Sequence, residues 1–168
     1  MITSNIDLGV NISIESDASI NNVKIGDNTK IASRARLFGS PHYQLVVGEN
    51  CYFGLNTIVE GFNATVTIGK HVSFAQNVML MSGSGPNASE KMQRIFPIIK
   101  GEVTIGDHTW IGANVVIMPN VNLGKYCIVG AQSFVNASFP DYSIIGGTPA
   151  KLIRTMTTEE IQKLNTND

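Results

Sequence analysis

Large apolar residues recur at six-residue steps through most of the chain, and a small or β-branched residue falls four positions after each. The pairs Ile25/Ile31, Val47/Phe53, Ile68/Phe74, Ile105/Ile111 and Leu123/Val129 carry the step. Thr29, Ala35, Cys51, Thr57, Val72, Val78, Thr109, Val115, Cys127 and Ser133 hold the smaller slot. A third apolar residue follows each pair: Leu37, Val59, Leu80, Ile117 and Val135. The same frame appears as five related decapeptides: VKIGDNTKIA from Val23, LVVGENCYFG from Leu45, VTIGKHVSFA from Val66, VTIGDHTWIG from Val103 and VNLGKYCIVG from Val121. A repeat of this kind fixes the architecture before any single residue is weighed.

A six-residue unit is a short strand plus a tight corner. The large residue points inward, the smaller one points inward where room is short, and the Gly or Asn between them lets the backbone turn. Three units close a triangular coil of 18 residues, and stacked coils pair as parallel strands. The pattern therefore predicts an all-β parallel β-helix. Ile105 to Leu123 is an uninterrupted 18 residues. Ile25 to Val47 is 22 and Val47 to Ile68 is 21, which predicts small bulges at Ser40–Gln44 and Glu60–Asn63. Ile68 to Ile105 is 37, so a long excursion, 81–102, leaves the prism after Leu80. Such excursions carry function or partner contacts. Leu8, Ile14 and Ile20 keep the step and predict a degenerate first coil. Thr157 three residues before Glu160 is a capping box, which predicts a helix over Thr158–Leu164 that caps the prism. The division expected is 1–155 for the β-helix with 81–102 inserted, and 156–168 for the helix and tail.

Composition narrows the class. Net charge is −1, from 12 basic and 13 acidic residues with no block of one sign, which argues against nucleic acid as partner. There is no charged-then-apolar leader and no long apolar run, so a cytoplasmic protein without a membrane span is expected. Cys51 and Cys127 both occupy the small inward slot, several coils apart, which predicts buried thiols rather than a disulfide or a nucleophile.

The hexads, the long excursion, IGDHTWIGANVVIMPNVNLG and the ending YSIIGGTPAKLIR resemble the hexapeptide-repeat acyltransferases, over roughly Val23 to Arg154. The branch most resembled is that of the galactoside, maltose, xenobiotic and polysaccharide sugar O-acetyltransferases. The resemblance implies a left-handed β-helix, a homotrimer, acetyl-CoA as co-substrate in a groove between two prisms, and a sugar or sugar-nucleotide acceptor. It implies no metal. It also implies a histidine in the excursion that takes the acceptor's proton during attack on the thioester. The sequence departs from the pattern there. Gly85, before Pro86, stands at the histidine's position, and 81–102 contains no histidine.

Three accounts fit that gap: the base comes from elsewhere, the acceptor is a reactive amine, or the protein binds without acylating. His71 and His108 share one outward slot in successive coils, so their rings should stack about one strand spacing, roughly 4.8 Å, apart. They are the candidates for the base, against the plainer reading of two exposed rings in a polar ladder with Asn28 and Tyr126. As a metal pair they would need a third or fourth ligand, which could come across a trimer interface as in the γ-class carbonic anhydrases of similar fold, whose His spacing is absent here. His42 lies in the first bulge. Trp110 faces outward and resembles an acceptor-side tryptophan, or else packs beneath the excursion. Glu60 and Ser84 are further candidates for contact with the acceptor. Gly112, Ala113 and Ala131 lack bulk at matching corners, and Thr148, Lys151 and Arg154 follow them. The resemblance makes these six the CoA-binding set; the plain alternatives are hexad corners that want small residues and a solvated basic pair. Met79, Met81, Met92, Ile95 and Phe96 are expected to anchor the excursion or a trimer contact.

Overall fold

The computed structural model describes residues 4–166. Its three parallel sheets are the three faces of a left-handed β-helix. The first face stacks six strands, from Ile6–Leu8 through Val23–Ile25, Leu45–Val47, Val66–Ile68 and Val103–Ile105 to Asn122–Leu123. The second stacks eight, from Ser13–Ile14 to Ile128–Val129 and then Ser143–Gly147 and Ala150–Thr155. The third stacks six, from Ser19–Asn21 to Phe134–Val135. Every pairing in the faces is parallel except the last one of the second face, where Ser143–Gly147 and Ala150–Thr155 form an antiparallel hairpin.

The inward slots are those the hexads predict. All ten small or β-branched positions are buried, and so are the five apolar residues that close each coil. Phe53 and Phe74 stack inside at a centroid distance of 4.9 Å, where two adjacent coils need the most volume. Thr29, Thr57 and Thr109 are fully inward, and each spends its hydroxyl on a neighbouring coil: Thr57 Oγ1 donates to the Ala75 carbonyl at 2.9 Å and Thr109 Oγ1 to that of Gly124 at 3.0 Å. A buried hydroxyl is tolerable only when paired in this way.

Corners require a left-handed residue. Asn28, Asn50, His71, His108, Tyr126 and Tyr142 sit at φ between 55° and 63° at the corner joining the first and second faces. Arg34, Asn56, Asn77, Asn114 and Gln132 do so, at φ 57–61°, at the corner joining the second and third. Asn tolerates this region best among residues with a side chain, which explains its abundance. The glycine ahead of the corner answers a different need. A Cβ on Gly106 would stand 2.4 Å from the carbonyl carbon of Gly124 in the next coil.

The degenerate first coil exists: its strands pair with Val23–Ile25, Lys30–Ile31 and Arg36–Gly39. Leu8 and Ile14 are exposed there, on the edge strands of their sheets, where no coil among the described residues stacks on their far side. The excursion is more ordered than a loop. Gly83–Ser84 and Ile99–Lys100 form a short antiparallel hairpin, bridged by the helix α1 (Glu90–Gln93), which Ser89 caps. The C-terminal helix α2 spans Thr158–Leu164 with both halves of the capping box formed by Thr157 and Glu160. It does not cap the prism as expected, since none of its residues is buried. Instead the Arg154 guanidinium grips the Glu160 carboxylate with two bonds, of 2.7 and 2.9 Å, and ties the helix to the preceding strand.

Candidate functional site

The residues singled out from the sequence fall at three corners of the prism. At the corner of the first and second faces, the left-handed slot stacks side chain on side chain. His71 and His108 lie 4.6 Å apart and 6° from parallel. The stack continues through Tyr126, 4.7 Å from His108, to Tyr142, 5.4 Å further on. The paired imidazoles were legible from the shared slot; Tyr142 was not. Its segment, Phe139–Gly147, repeats the frame with Pro140 in the glycine slot, and that signal could have found it.

A ladder of charge runs beside the rings, one residue earlier in each coil. Glu49 pairs with Lys70 at 3.0 Å and Asp107 with Lys125 at 3.4 Å. Asp107 Oδ1 also accepts the Lys70 backbone N–H at 2.9 Å, and that bond, followed by the Lys125 ammonium, holds its carboxyl below the ordinary range. His108 is shifted down, first by burial and then by the neighbouring His71. It is thereby biased towards the neutral, proton-accepting form. Replacing His71 with Asn, the residue that Asn28 and Asn50 supply at the same left-handed slot, removes the second cause and keeps the first. The expected result, read by NMR titration of the His108 ring, is a pKa that rises part of the way to the usual imidazole value of about 6.5. A fall, or no movement, would show that the two rings do not sense each other. Among the described residues of this one chain no cluster of three or more His, Cys, Asp or Glu is placed to hold a metal ion.

Trp110 lies on the outer side of the second face, in register with Ser73 and Ile128, and is 55% exposed. It does not pack beneath its own chain's excursion, which leaves from another corner, between Met81 on the third face and Val103 on the first. Met92, Ile95 and Phe96 are likewise exposed rather than anchored on the prism.

At the corner of the second and third faces, Gly112–Ala113 and Gly130–Ala131 stack directly. Gln132 N–H donates to the Ala113 carbonyl at 2.8 Å, and a Cβ on Gly112 would stand 2.7 Å from the Ala131 nitrogen. Thr148 joins this corner through its hydroxyl, which donates to the Gln132 carbonyl at 3.3 Å. Lys151 is exposed with no ion pair among the described residues, whereas Arg154 is occupied by Glu160.

The third corner holds the neck of the excursion. Glu60 accepts from Phe62 N–H at 2.6 Å and Ser82 N–H at 2.9 Å, and Ser82 Oγ lies 3.2 Å from both of its carboxylate oxygens. Glu60 lines a groove of ≈380 Å³ with Met81, Gly83 and Asn87, yet its oxygens are committed to holding the bulge and the excursion together. Ser82, buried and unremarked in the sequence, is the other half of that knot. Ser84 sits beyond it in the hairpin, opposite Ile99. Around the corner, Tyr43, Asn63, Lys100, Glu102 and Asn120 border a polar groove of ≈680 Å³ with both donors and acceptors. His42 is exposed at the bulge beside it. Gly85 leaves no room for a longer side chain, because a Cβ there would stand 2.8 Å from the Ile98 Cα. The two cysteines are buried and free; burial pushes Cys51 up to about 11 and raises Cys127 as well, so neither is a nucleophile.

The family of bacterial transferase hexapeptides (six repeats) matches residues 102–137, and the hexapeptide repeat of succinyl-transferase matches 44–73. The chain is 35% identical to galactoside O-acetyltransferase of Escherichia coli K12 over 115 residues, which are 68% of this chain and 55% of that protein. It is 30% identical to the putative colanic acid biosynthesis acetyltransferase WcaF of the same organism over 141 residues, 82% of this chain and 71% of WcaF. The chain belongs to the hexapeptide-repeat transferase family. It spans 55–61% of the length of the galactoside O-acetyltransferases of E. coli and Lactococcus lactis. Among solved structures, the N-acyltransferase AntD from Bacillus cereus, in complex with dTDP and 3-hydroxybutyryl-CoA, superposes with a TM-score of 0.80 at 24% identity, covering 94% of this chain and 86% of that one. That likeness shows the shared fold. Among the described residues no helix is long and apolar enough to cross a membrane.

Proposed function

We propose that this chain transfers an acetyl group from acetyl-CoA to a hydroxyl or amine of a sugar, in a cleft between copies of a homotrimer. The observation that carries the reading is the identity with two acetyltransferases, one named for galactosides and one for a polysaccharide. The geometry supports the cleft. The ring ladder, the small-residue corner and the excursion neck occupy three different corners of one prism, so a second prism is needed to bring any two together. The outer faces agree. The second face shows Lys30, Tyr52, Ser73, Trp110, Ile128 and Ile144 in successive coils, and the third shows Arg36, Ile58, Met79, Val116 and Phe134. The first shows Lys24, Val46, Thr67, Thr104 and Asn122. Large apolar side chains on the later coils of two faces, beside a mainly polar first face, suit a closed assembly that packs those coils together.

In the reaction the acceptor's lone pair attacks the thioester carbon, the C–S bond breaks, and the acceptor's proton leaves as the CoA thiolate forms. The Gly112 and Gly130 N–H groups are spent on the Val129 and Ile145 carbonyls, so the donors for the carbonyl oxygen are the Ala113 and Ala131 N–H groups, which hold no partner among the described residues. His108, biased to its neutral form by burial first and by the neighbouring His71 second, is the candidate base. Gly85 packed on Ile98 favours a second form of the reading, an amine acceptor, which needs less help in losing its proton than a hydroxyl does.

Release of CoA thiol from acetyl-CoA, followed across a panel of sugars, amino sugars and their nucleotide-linked forms, tests the proposal. Acceptor-dependent release is expected with at least one. Binding of CoA without turnover on any acceptor would leave a binding protein on a transferase scaffold. Tight zinc with no CoA binding would overturn the reading in favour of a metal enzyme.

A further inference from the structure

On the third face, towards the N-terminal end, a groove of ≈560 Å³ opens between the first coil and the two bulges. Its volume lies in the range of small-molecule sites, about 300–1,000 Å³. Ile20, Phe38, Pro41 and Phe62 make apolar walls, with Asn22 and Arg36 as polar points. Phe38 is half-buried and Phe62 is 58% exposed. Both rings also line the ≈380 Å³ groove at Glu60 and Met81, so the two cavities share a wall and run on to the neck of the excursion. A cleft in two adjoining parts suits a ligand in two parts.

Three features define what the first part takes. Phe38 and Phe62 supply aromatic surface on which a flat ring can stack. Asn22 is 5% exposed, and its Oδ1 is the one buried side-chain N or O atom among the described residues with no hydrogen-bond partner. Buried acceptors are rarely left orphaned, and a ring N–H or exocyclic amine would satisfy this one. Arg36 is exposed on the rim and takes no ion pair among the described residues, unlike Arg154. It stands two residues from Phe38 on the same strand and side, about 6.6 Å along the chain. Arg34, two residues earlier again, donates its Nε–H to Asn56 Oδ1 at 2.7 Å and borders with Arg36 and Asp17 an adjoining hollow of ≈350 Å³, so Arg36 is the guanidinium free for an anion. A guanidinium fork is matched to phosphate oxygens.

We propose that this groove binds the nucleoside diphosphate end of a nucleotide-activated sugar, with the base between Phe38 and Phe62 and within reach of Asn22, the phosphates on Arg36, and the sugar directed to the Glu60 neck. The inference rests on the sugar-acyltransferase reading and specifies its acceptor. It also separates the two ligands, because the corner assigned to CoA lies on the last coils and this groove on the first three.

The test is calorimetric titration of the intact protein with UDP, dTDP, GDP, 3′,5′-ADP and CoA, repeated on Arg36→Ala and Phe62→Ala, with the assembly state of each followed by light scattering. At least one nucleoside diphosphate should bind. Arg36→Ala should weaken it tenfold or more while weakening the free nucleoside far less, and saturating CoA should leave the binding in place. Displacement by CoA or 3′,5′-ADP would mean that the groove holds the CoA adenine, and would overturn the proposal. So would a Phe62→Ala chain that changes its assembly state while Arg36→Ala binds diphosphates unchanged, which would make the groove a contact between copies. Acetylation of free sugars with no nucleotide binding would sink this inference and leave the acyltransferase standing. Nucleotide binding with no acyl transfer would do the reverse.

Discussion

Replacing Phe74 with alanine is expected to lower the unfolding free energy by about 3–5 kcal/mol. The ring is fully buried in a middle coil and lies 4.9 Å from Phe53, 15° from parallel. Truncation leaves a cavity flanked by Phe53 and Ile111, its register partners in the coils on either side. It also removes an aromatic pair that contributes about 0.5–1.5 kcal/mol beyond its area. The effect should spread, because each coil of a solenoid is held only by its neighbours. Leu8, in the first coil, is 41% exposed and bounds that comparison. Leu8→Ala should cost little more than an ordinary surface change, about 0.5 kcal/mol. Urea unfolding of both variants reads the difference. Equal losses would mean that the prism does not melt as a stack with a strong middle and a weak end.

The core could be read from the chain because one physical rule is applied again and again. Every coil needs a large residue to fill the axis and a small one where the backbone bends in, so Thr29, Cys51, Val72, Thr109 and Cys127 sit in one column despite their different chemistry. The same rule made the His71 and His108 stack visible, since equal slots in adjacent coils must face each other across one strand spacing. The Phe139–Gly147 coil was missed where Pro140 broke the glycine signature, although Tyr142, Ser143 and Ile145 keep the frame. What the repeat cannot reveal is chemistry built outside it. The Glu60–Ser82 knot joins residues 22 apart across a bulge and an excursion. The Arg154–Glu160 pair, which straps α2 to the preceding strand, is likewise built outside the repeat. Arg36 and Phe38 share a strand, and Phe62 joins them at the groove from the second bulge, which the repeat does not place.

Replacing Ala131 with tryptophan should raise KM for acetyl-CoA by at least tenfold and leave the fold intact. The corner formed by Gly112, Ala113 and Ala131 is the smoothest strip on the last coils, with Thr148 fixed at its end. A thin pantetheine arm can lie there against backbone N–H groups only if nothing stands up from the track. Ala131 is exposed, so an added indole meets solvent rather than core and should change stability by no more than about 0.5 kcal/mol. A tenfold loss of affinity corresponds to about 1.4 kcal/mol, less than the contacts an obstructed arm would forfeit. Lys151→Ala should act differently. An exposed ammonium that meets a phosphate contributes modestly and through a screened field, so its loss should be a few-fold and should vanish in high salt. Titration with CoA and a KM measurement on both variants separate steric blockage from charge. If Ala131→Trp binds CoA as the native chain does, the arm runs elsewhere, and the small residues at this corner answer only the need of stacked coils for close approach.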